Sequence, residues 1–199
     1  DLDHEAALDP ARVGAKAAWL AMARRAGLPV LPGLVVDTVD SLAHMQLGVE
    51  MLATRGSGGA RLALTAAPVP FADELVERGA RLGDVLVARS STIIESSGEW
   101  SGAFTSYLDL SPMDLPRAVT GCWASTFSVA ALERTLEALA SRRFWVESRQ
   151  WHGTGRGGAD RARSHGCPRS DARLFRASIG VLGRKGCSDQ SVVRFPRGF

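Results

Sequence analysis

The sequence has no apolar run of about 18 residues, the length that a membrane-spanning helix requires. Its first ten residues, DLDHEAALDP, are acidic and polar, whereas a secretory signal begins with a basic segment followed by an apolar one. The chain does not start with Met, so residues before Asp1 have either been removed or not been recorded. We therefore expect neither a membrane partner nor secretion.

Cysteine is also scarce. The three cysteines, Cys122, Cys167 and Cys187, are an odd number without close pairing, which suits a reducing cytoplasm better than a disulfide scaffold. His165 lies two residues before Cys167, but no second pair of zinc ligands accompanies them. We predict a cytoplasmic protein without a metal site of its own.

Charge is distributed unevenly along the 199 residues, although the formal net charge is only +3. Residues 1–140 carry 11 basic and 17 acidic side chains, and residues 141–199 carry the remaining 13 basic and 4 acidic ones. The second part is rich in Arg and Gly and shows no sustained period of 2 or 3.6 residues. We predict a folded domain over 1–140 and a basic tail of no recognisable fold over 141–199.

Within the first part, apolar spacing predicts helices alternating with short strands. A first helix is expected over residues 16–26, with Trp19, Leu20 and Met22 available for burial. The segment GSGGAR, from Gly56 to Arg61, lacks the closing Gly-Lys-Ser/Thr of a P-loop, so it is predicted to be a flexible connection that ends the second helix. The order of elements indicates an α+β (mixed α/β) fold.

The stretch LVARSS places one arginine, Arg89, at the end of an apolar strand. A guanidinium on a rigid strand end presents fixed donors to phosphate or carboxylate oxygens, and the hydroxyls of Ser90 and Ser91 could complete a small anion site. The alternative is an ordinary ion pair between Arg89 and Glu95 or Glu99.

Two further segments carry polar groups that suit a phosphate. Lys16 lies at the start of the first helix, where an ammonium and helix N–H groups can face one anion; the alternative is a solvated lysine. In GAFTSYL, Gly102 permits close backbone approach and Thr105 and Ser106 offer hydroxyls, although the same alternation is typical of a strand with one solvated face.

Four segments, in order, resemble the ATP-grasp domain of the phosphoenolpyruvate synthase and pyruvate phosphate dikinase family, which rifampicin phosphotransferases share. These segments are VGAKAAWLAMARRAGLPVLPGLVV, LVARSS, EWSGAFTSYLDL and AVTGCWASTFS. The resemblance implies an ATP-binding module in which Lys16 and Arg89 contact the phosphates, with Arg89 acting in catalysis. It also implies that Gly102, Ser106 and Tyr107 belong to the loop that covers the nucleotide.

In that family, ATP phosphorylates a histidine on a separate domain, which passes the group to pyruvate or another acceptor. The resemblance therefore implies ATP as cofactor, Mg²⁺ whose ligands are not in this chain, and a pyruvate-like or rifampicin-like acceptor bound by absent domains. The loop TIIESSGEW is about two residues shorter than in the family, and Thr105 stands where an acidic residue is usual. The chain resembles the N-terminal part of the domain and is not expected to be active alone.

The basic tail leaves two alternatives. It is either a genuine segment that binds nucleic acid or an acidic partner, or the product of a frameshift near residues 141–152, since GC-rich codons read out of frame yield Arg, Gly, Ala and Pro. We favour the frameshift and do not expect a nucleic-acid partner. For the whole chain, the alternative to a phosphotransferase is a non-catalytic nucleotide-binding or interaction protein.

Overall fold

The computed structural model describes residues 1–93, 100, 102–138, 140 and 177–184. The helices of this part are α1 (Pro10–Arg25), α2 (Leu42–Ala66), α3 (Ala72–Leu82), α4 (Leu115–Ser125) and α5 (residues 129–138), with short 3-10 turns at Glu5–Leu8 and Pro112–Asp114. The strands are β1 (Gly33–Val36), β2 (Val85–Thr92), β3 (Ser106–Leu110) and β4 (Ala177–Arg184). The prediction of a mixed α/β fold is confirmed.

The four strands form one sheet in the order β1-β4-β2-β3, and every neighbouring pair is antiparallel. The register shows which residues lie in one row across the strands and share a face of the sheet. Leu34, Val181 and Ala88 point to one face, and Val35, Gly180, Arg89 and Ser106 point to the other. Arg89 therefore lies on an inner strand that is hydrogen-bonded on both sides.

Strand β4 corrects the prediction that nothing after residue 140 has a recognisable fold. Ile179 and Val181 are both 0% exposed, and they belong to the same core as the residues of β1 and β2. The sequence analysis missed this strand because its alternating residues are few and lie among arginines and glycines. The region proposed for a frameshift, 141–152, lies outside the described residues.

The sheet is covered by α1 on one face and by α3 and α4 on the other, and α2 packs against α4. Helix α1 approaches the sheet through small side chains, because Ala17, Ala18 and Ala21 are its most buried residues. The prediction that Trp19 and Met22 are buried is wrong, since they are 65% and 41% exposed. Alanines permit the helix to lie closer to the strands than these bulky side chains would allow.

Helix α2 passes through the glycine segment that was predicted to be a flexible connection. Gly56 has a φ of 69° and a ψ of −174°, which kinks the helix, and helical structure then continues to Ala66. The Ser57 hydroxyl donates a hydrogen bond of 2.6 Å to the Phe127 carbonyl, so the second half of the helix is attached to the end of α4. No helix within the described ranges is long and apolar enough to cross a membrane.

Candidate functional site

Arg89 lies inside β2, three residues before this strand ends at Thr92, and not at the strand end that the sequence predicted. Its backbone pairs with Gly180 of β4 on one side and with Ser106 of β3 on the other. Gly180 has no side chain, and a β-carbon built there would lie 4.0 Å from Cγ of Arg89. That distance is an ordinary van der Waals contact, so the aliphatic part of Arg89 packs next to Gly180 without a steric need for glycine there.

The Nε atom of Arg89 is buried and has no hydrogen-bond partner among the described residues. A buried donor without a partner costs about 1–3 kcal/mol, and more when the group is charged. The two glutamates considered as ion-pair partners, Glu95 and Glu99, lie outside the part of the chain that the structure describes. Arg89 thus combines a fixed strand position with a buried donor that no described residue accepts from, as an arginine that binds an anion would.

The start of α1 is docked against the end of the same strand. Gly14, with φ 74° and ψ 165°, interrupts the helix, so that a new helical segment begins at Ala15. The Ala17 N–H of this segment donates a buried hydrogen bond of 2.9 Å to Oγ of Ser91. Lys16 lies in the first turn of the segment after Gly14; helix α1 itself begins at Pro10, and not at residue 16 as the sequence predicted.

The two serines after Arg89 do not act together. Ser91 points to the α1 face of the sheet, whereas Ser90 alternates to the opposite face and is buried there. The prediction that both hydroxyls complete one anion site is therefore wrong, because neighbouring residues of a strand point to opposite faces of the sheet. Ser91 is used in holding the helix.

Ser106 and Gly102 approach the site from β3 and the segment before it. Ser106 is exposed and lies next to Arg89 on the same face of the sheet. Gly102 has a φ of 74° and no atom within 4 Å of where a β-carbon would be. The Thr105 N–H donates a hydrogen bond of 3.2 Å to Oγ of Ser125, which fixes where β3 begins.

Tyr107 lies on the other side of the sheet from Arg89, because it pairs with Ala88. A β-carbon built on Gly121 of α4 would lie 2.2 Å from the Tyr107 hydroxyl oxygen, so the ring packs directly against that helix. Burial raises the pKa of Tyr107, and nearby Cys122 adds to the rise. Register thus brings Ser106, and not Tyr107, to Arg89.

Cys122 is buried in the core on the opposite face of the sheet from Arg89, and its thiol is the one cysteine side chain that the structure describes. Burial raises the pKa of the Cys122 thiol to about 12, so the thiol stays protonated and unreactive at neutral pH. Among the described residues there is no group of three or more His, Cys, Asp or Glu side chains that could hold a metal ion. His165 and Cys167 lie outside those residues.

The residues of the candidate site that the sequence analysis missed are Gly14 and, as the acceptor of the Ala17 N–H, Ser91. Both act through a close approach between elements that are distant in sequence, so no local pattern marks them. One sequence feature could have indicated Gly14: a glycine one turn into an otherwise helix-forming segment suggests a backbone conformation or a close contact that other residues do not allow.

Comparison with known proteins finds a distant relative among the curated proteins. The chain is 30% identical, over an alignment of 142 residues, to "Prodigiosin synthesizing transferase PigC" of Serratia marcescens; the match covers 67% of this chain and 16% of that protein. No model of a protein family matches the chain. The chain is thus distantly similar to a transferase and spans about a sixth of its length.

Proposed function

We propose that this chain is the ATP-binding part of a phosphotransferase of the phosphoenolpyruvate synthase and pyruvate phosphate dikinase kind. ATP would bind over the α1 face of the sheet, with its phosphates at Arg89 and Lys16. The phosphoryl group would then pass through a histidine to pyruvate or another acceptor, on parts of the enzyme outside this chain. The similarity to a transferase supports the class of reaction.

The observation that carries the proposal is the buried Nε of Arg89, which has no hydrogen-bond partner within the described part of the chain. A phosphate oxygen would accept from this buried donor and remove its desolvation cost. Because β2 is paired on both sides, the guanidinium would need little reordering when the anion binds. The proposed role of Arg89 in catalysis is to stabilise charge on the phosphoryl group during transfer.

Lys16 supplies the second positive charge. It lies in the first turn of the helical segment after Gly14, where backbone N–H groups and the helix dipole also favour an anion. Ser106 would contribute its exposed hydroxyl, and Gly102 would let the chain before β3 approach the phosphates. Tyr107 has no phosphate contact in this proposal, because it faces α4.

Magnesium accompanies ATP in this kind of enzyme, but the described residues do not fit it. The proposed site presents the cationic groups of Arg89 and Lys16, whereas Mg²⁺ prefers carboxylate oxygens. The metal would reach the site on the phosphates, and its protein ligands would lie elsewhere. Arg89 and Lys16 would bind and orient the same phosphates from the opposite side.

Titration of the full chain with a fluorescent ATP analogue tests the proposal. Arg89→Ala should weaken binding roughly 10- to 100-fold, as expected for the loss of a hydrogen bond from a charged donor. Arg89→Lys should recover part of the loss, because it keeps the charge without the fork of donors. Arg81→Ala is the control, since Arg81 is exposed on α3 and pairs with Glu77.

Thermal melting must show that these variants are folded before their affinities are compared. The proposal fails if the wild-type chain shows no saturable ATP binding. It also fails if Arg89→Ala binds ATP as tightly as Arg81→Ala does.

A further inference from the structure

The bond between Ser91 and Ala17 links the two elements that carry the proposed phosphate ligands. Ser91 is 1% exposed, and its hydroxyl lies 2.9 Å from the Ala17 nitrogen, 74 residues away in sequence. On β2 it follows Arg89 by two residues and points to the same face, and Ala17 directly follows Lys16. One hydrogen bond therefore spans the junction between the arginine's strand and the lysine's helical turn.

The donor lies in the first turn of a helical segment, where N–H groups in general lack acceptors within the helix. Because Gly14 interrupts α1, the first N–H groups of the segment after it need outside acceptors. Ser91 provides one from a different element, as an N-cap side chain does locally. Without it, the first turn of this segment loses the contact that fixes its position.

We propose that Ser91 is a positioning residue of the nucleotide site: its hydroxyl holds the helical turn of Lys16 in register with Arg89, so that both cations reach one polyphosphate. This inference rests on the proposed function. Ser91 itself does not touch the nucleotide. It acts on affinity by keeping the Lys16 turn ordered before ATP arrives, which lowers the entropic cost of binding.

Ser90 provides a matched control for this role. It is the adjacent residue, has the same side chain and is buried to 2% exposure, but it points to the opposite face of the sheet. Ser90→Ala and Ser91→Ala therefore remove the same atom from neighbouring buried positions. Only the second removes the acceptor of Ala17.

The test is a double-mutant cycle on ATP affinity with the full chain. Ser91→Ala should weaken ATP binding about 3- to 10-fold, as for the loss of a helix cap, and Ser90→Ala should leave it within about twofold. In a Lys16→Ala background, Ser91→Ala should cause no further loss, because the residue that it positions is gone. An equal loss in both backgrounds would show that Ser91 does not act through Lys16 and would overturn the inference.

Amide hydrogen exchange gives a second measurement that needs no nucleotide. The Ala17 amide should exchange slowly in the wild type and in Ser90→Ala, and faster in Ser91→Ala; unchanged exchange would also overturn the inference. If Ser91→Ala does not fold, Ser91→Cys keeps a similar volume with a weaker acceptor and should show the same effects in smaller measure.

The outcomes separate the two proposals. If ATP binds and depends on Arg89 and Lys16 but not on Ser91, only the positioning role is overturned. If ATP does not bind the wild-type chain at all, both are.

Discussion

Gly14 lies so close to Ser91 that a β-carbon added to it would be 2.3 Å from the Ser91 carbonyl carbon and oxygen. No side chain can occupy that position without moving α1 away from β2. Gly14→Ala should therefore lower the free energy of unfolding by about 3 kcal/mol, from the clash together with the cost of a positive φ. Chemical denaturation measures the loss.

Gly27→Ala separates the two parts of that cost. Gly27 has a similar φ of 77°, but nothing lies within 4 Å of its added β-carbon. Gly27→Ala should lower the free energy of unfolding by only about 1–2 kcal/mol, which is the cost of the backbone conformation alone. Equal losses for the two variants would show that the contact with Ser91 is not tight.

Ile179 tests whether β4 is part of the folded core. Its side chain is 0% exposed in the centre of the sheet, so Ile179→Ala should cost about 3 kcal/mol of unfolding free energy. The control is Leu108→Ala on β3, which is 65% exposed and should change stability by less than about 0.5 kcal/mol. A neutral Ile179→Ala would place residues 177–184 outside the domain.

Strands β2 and β4 show which parts of the fold the sequence could predict and which it could not. Strand β2 was predicted from its apolar run, which marks a strand locally, but it continues past Arg89 to Thr92. Strand β4 was missed, since its pairing with β1 and β2 depends on partners about 90 to 150 residues away. Register with distant strands leaves no local signal when the surrounding composition is atypical.

At the candidate site, the residue types were predictable and their geometry was not. Arg89 was predicted as one cation at a strand end, whereas it lies inside β2, and its buried Nε has no partner among the residues that the structure describes. The family resemblance placed Ser106 and Tyr107 together in the loop that covers the nucleotide. A strand turns adjacent residues to opposite faces, so only the pairing register decides which one meets Arg89.

Ser106 and Tyr107 should consequently differ in their effect on ATP binding. Ser106→Ala should weaken the affinity about 2- to 5-fold, the effect of one neutral hydrogen bond at an exposed position. Tyr107→Phe should leave the affinity unchanged, because the hydroxyl faces α4. Titration with the same fluorescent nucleotide measures both, and a larger loss in Tyr107→Phe would contradict the assignment of faces.

Cys122 should report on unfolding. With its pKa raised to about 12 by burial, the thiol should react with iodoacetamide at pH 8 at least about a hundredfold more slowly in the folded protein than in denaturant. The measurement uses a variant in which Cys167 and Cys187 are replaced by serine, so that one thiol remains. Equal rates in the two states would contradict burial of Cys122 behind the sheet.

His44 makes the fold sensitive to mild acid. Its Nε2 lies 3.1 Å from the Pro68 carbonyl oxygen and donates to it, its Nδ1 is buried without a partner among the described residues, and its ring contacts Trp123 at 4.5 Å between centroids. Burial lowers the pKa of His44 below its ordinary 6.5, although the Pro68 carbonyl opposes this. The folded protein therefore holds the imidazole neutral where the unfolded chain already binds a proton.

Because the unfolded state binds more protons between the two pKa values, the free energy of unfolding should fall as pH drops below about 6.5. Above that pH, His44 is neutral in both states and does not contribute to the pH dependence of the free energy of unfolding. In His44→Gln, which keeps an amide donor that can face Pro68, this part of the decline should be absent. Urea denaturation of both proteins between pH 7.5 and pH 5 measures it, and parallel curves would show that His44 is not held neutral by burial.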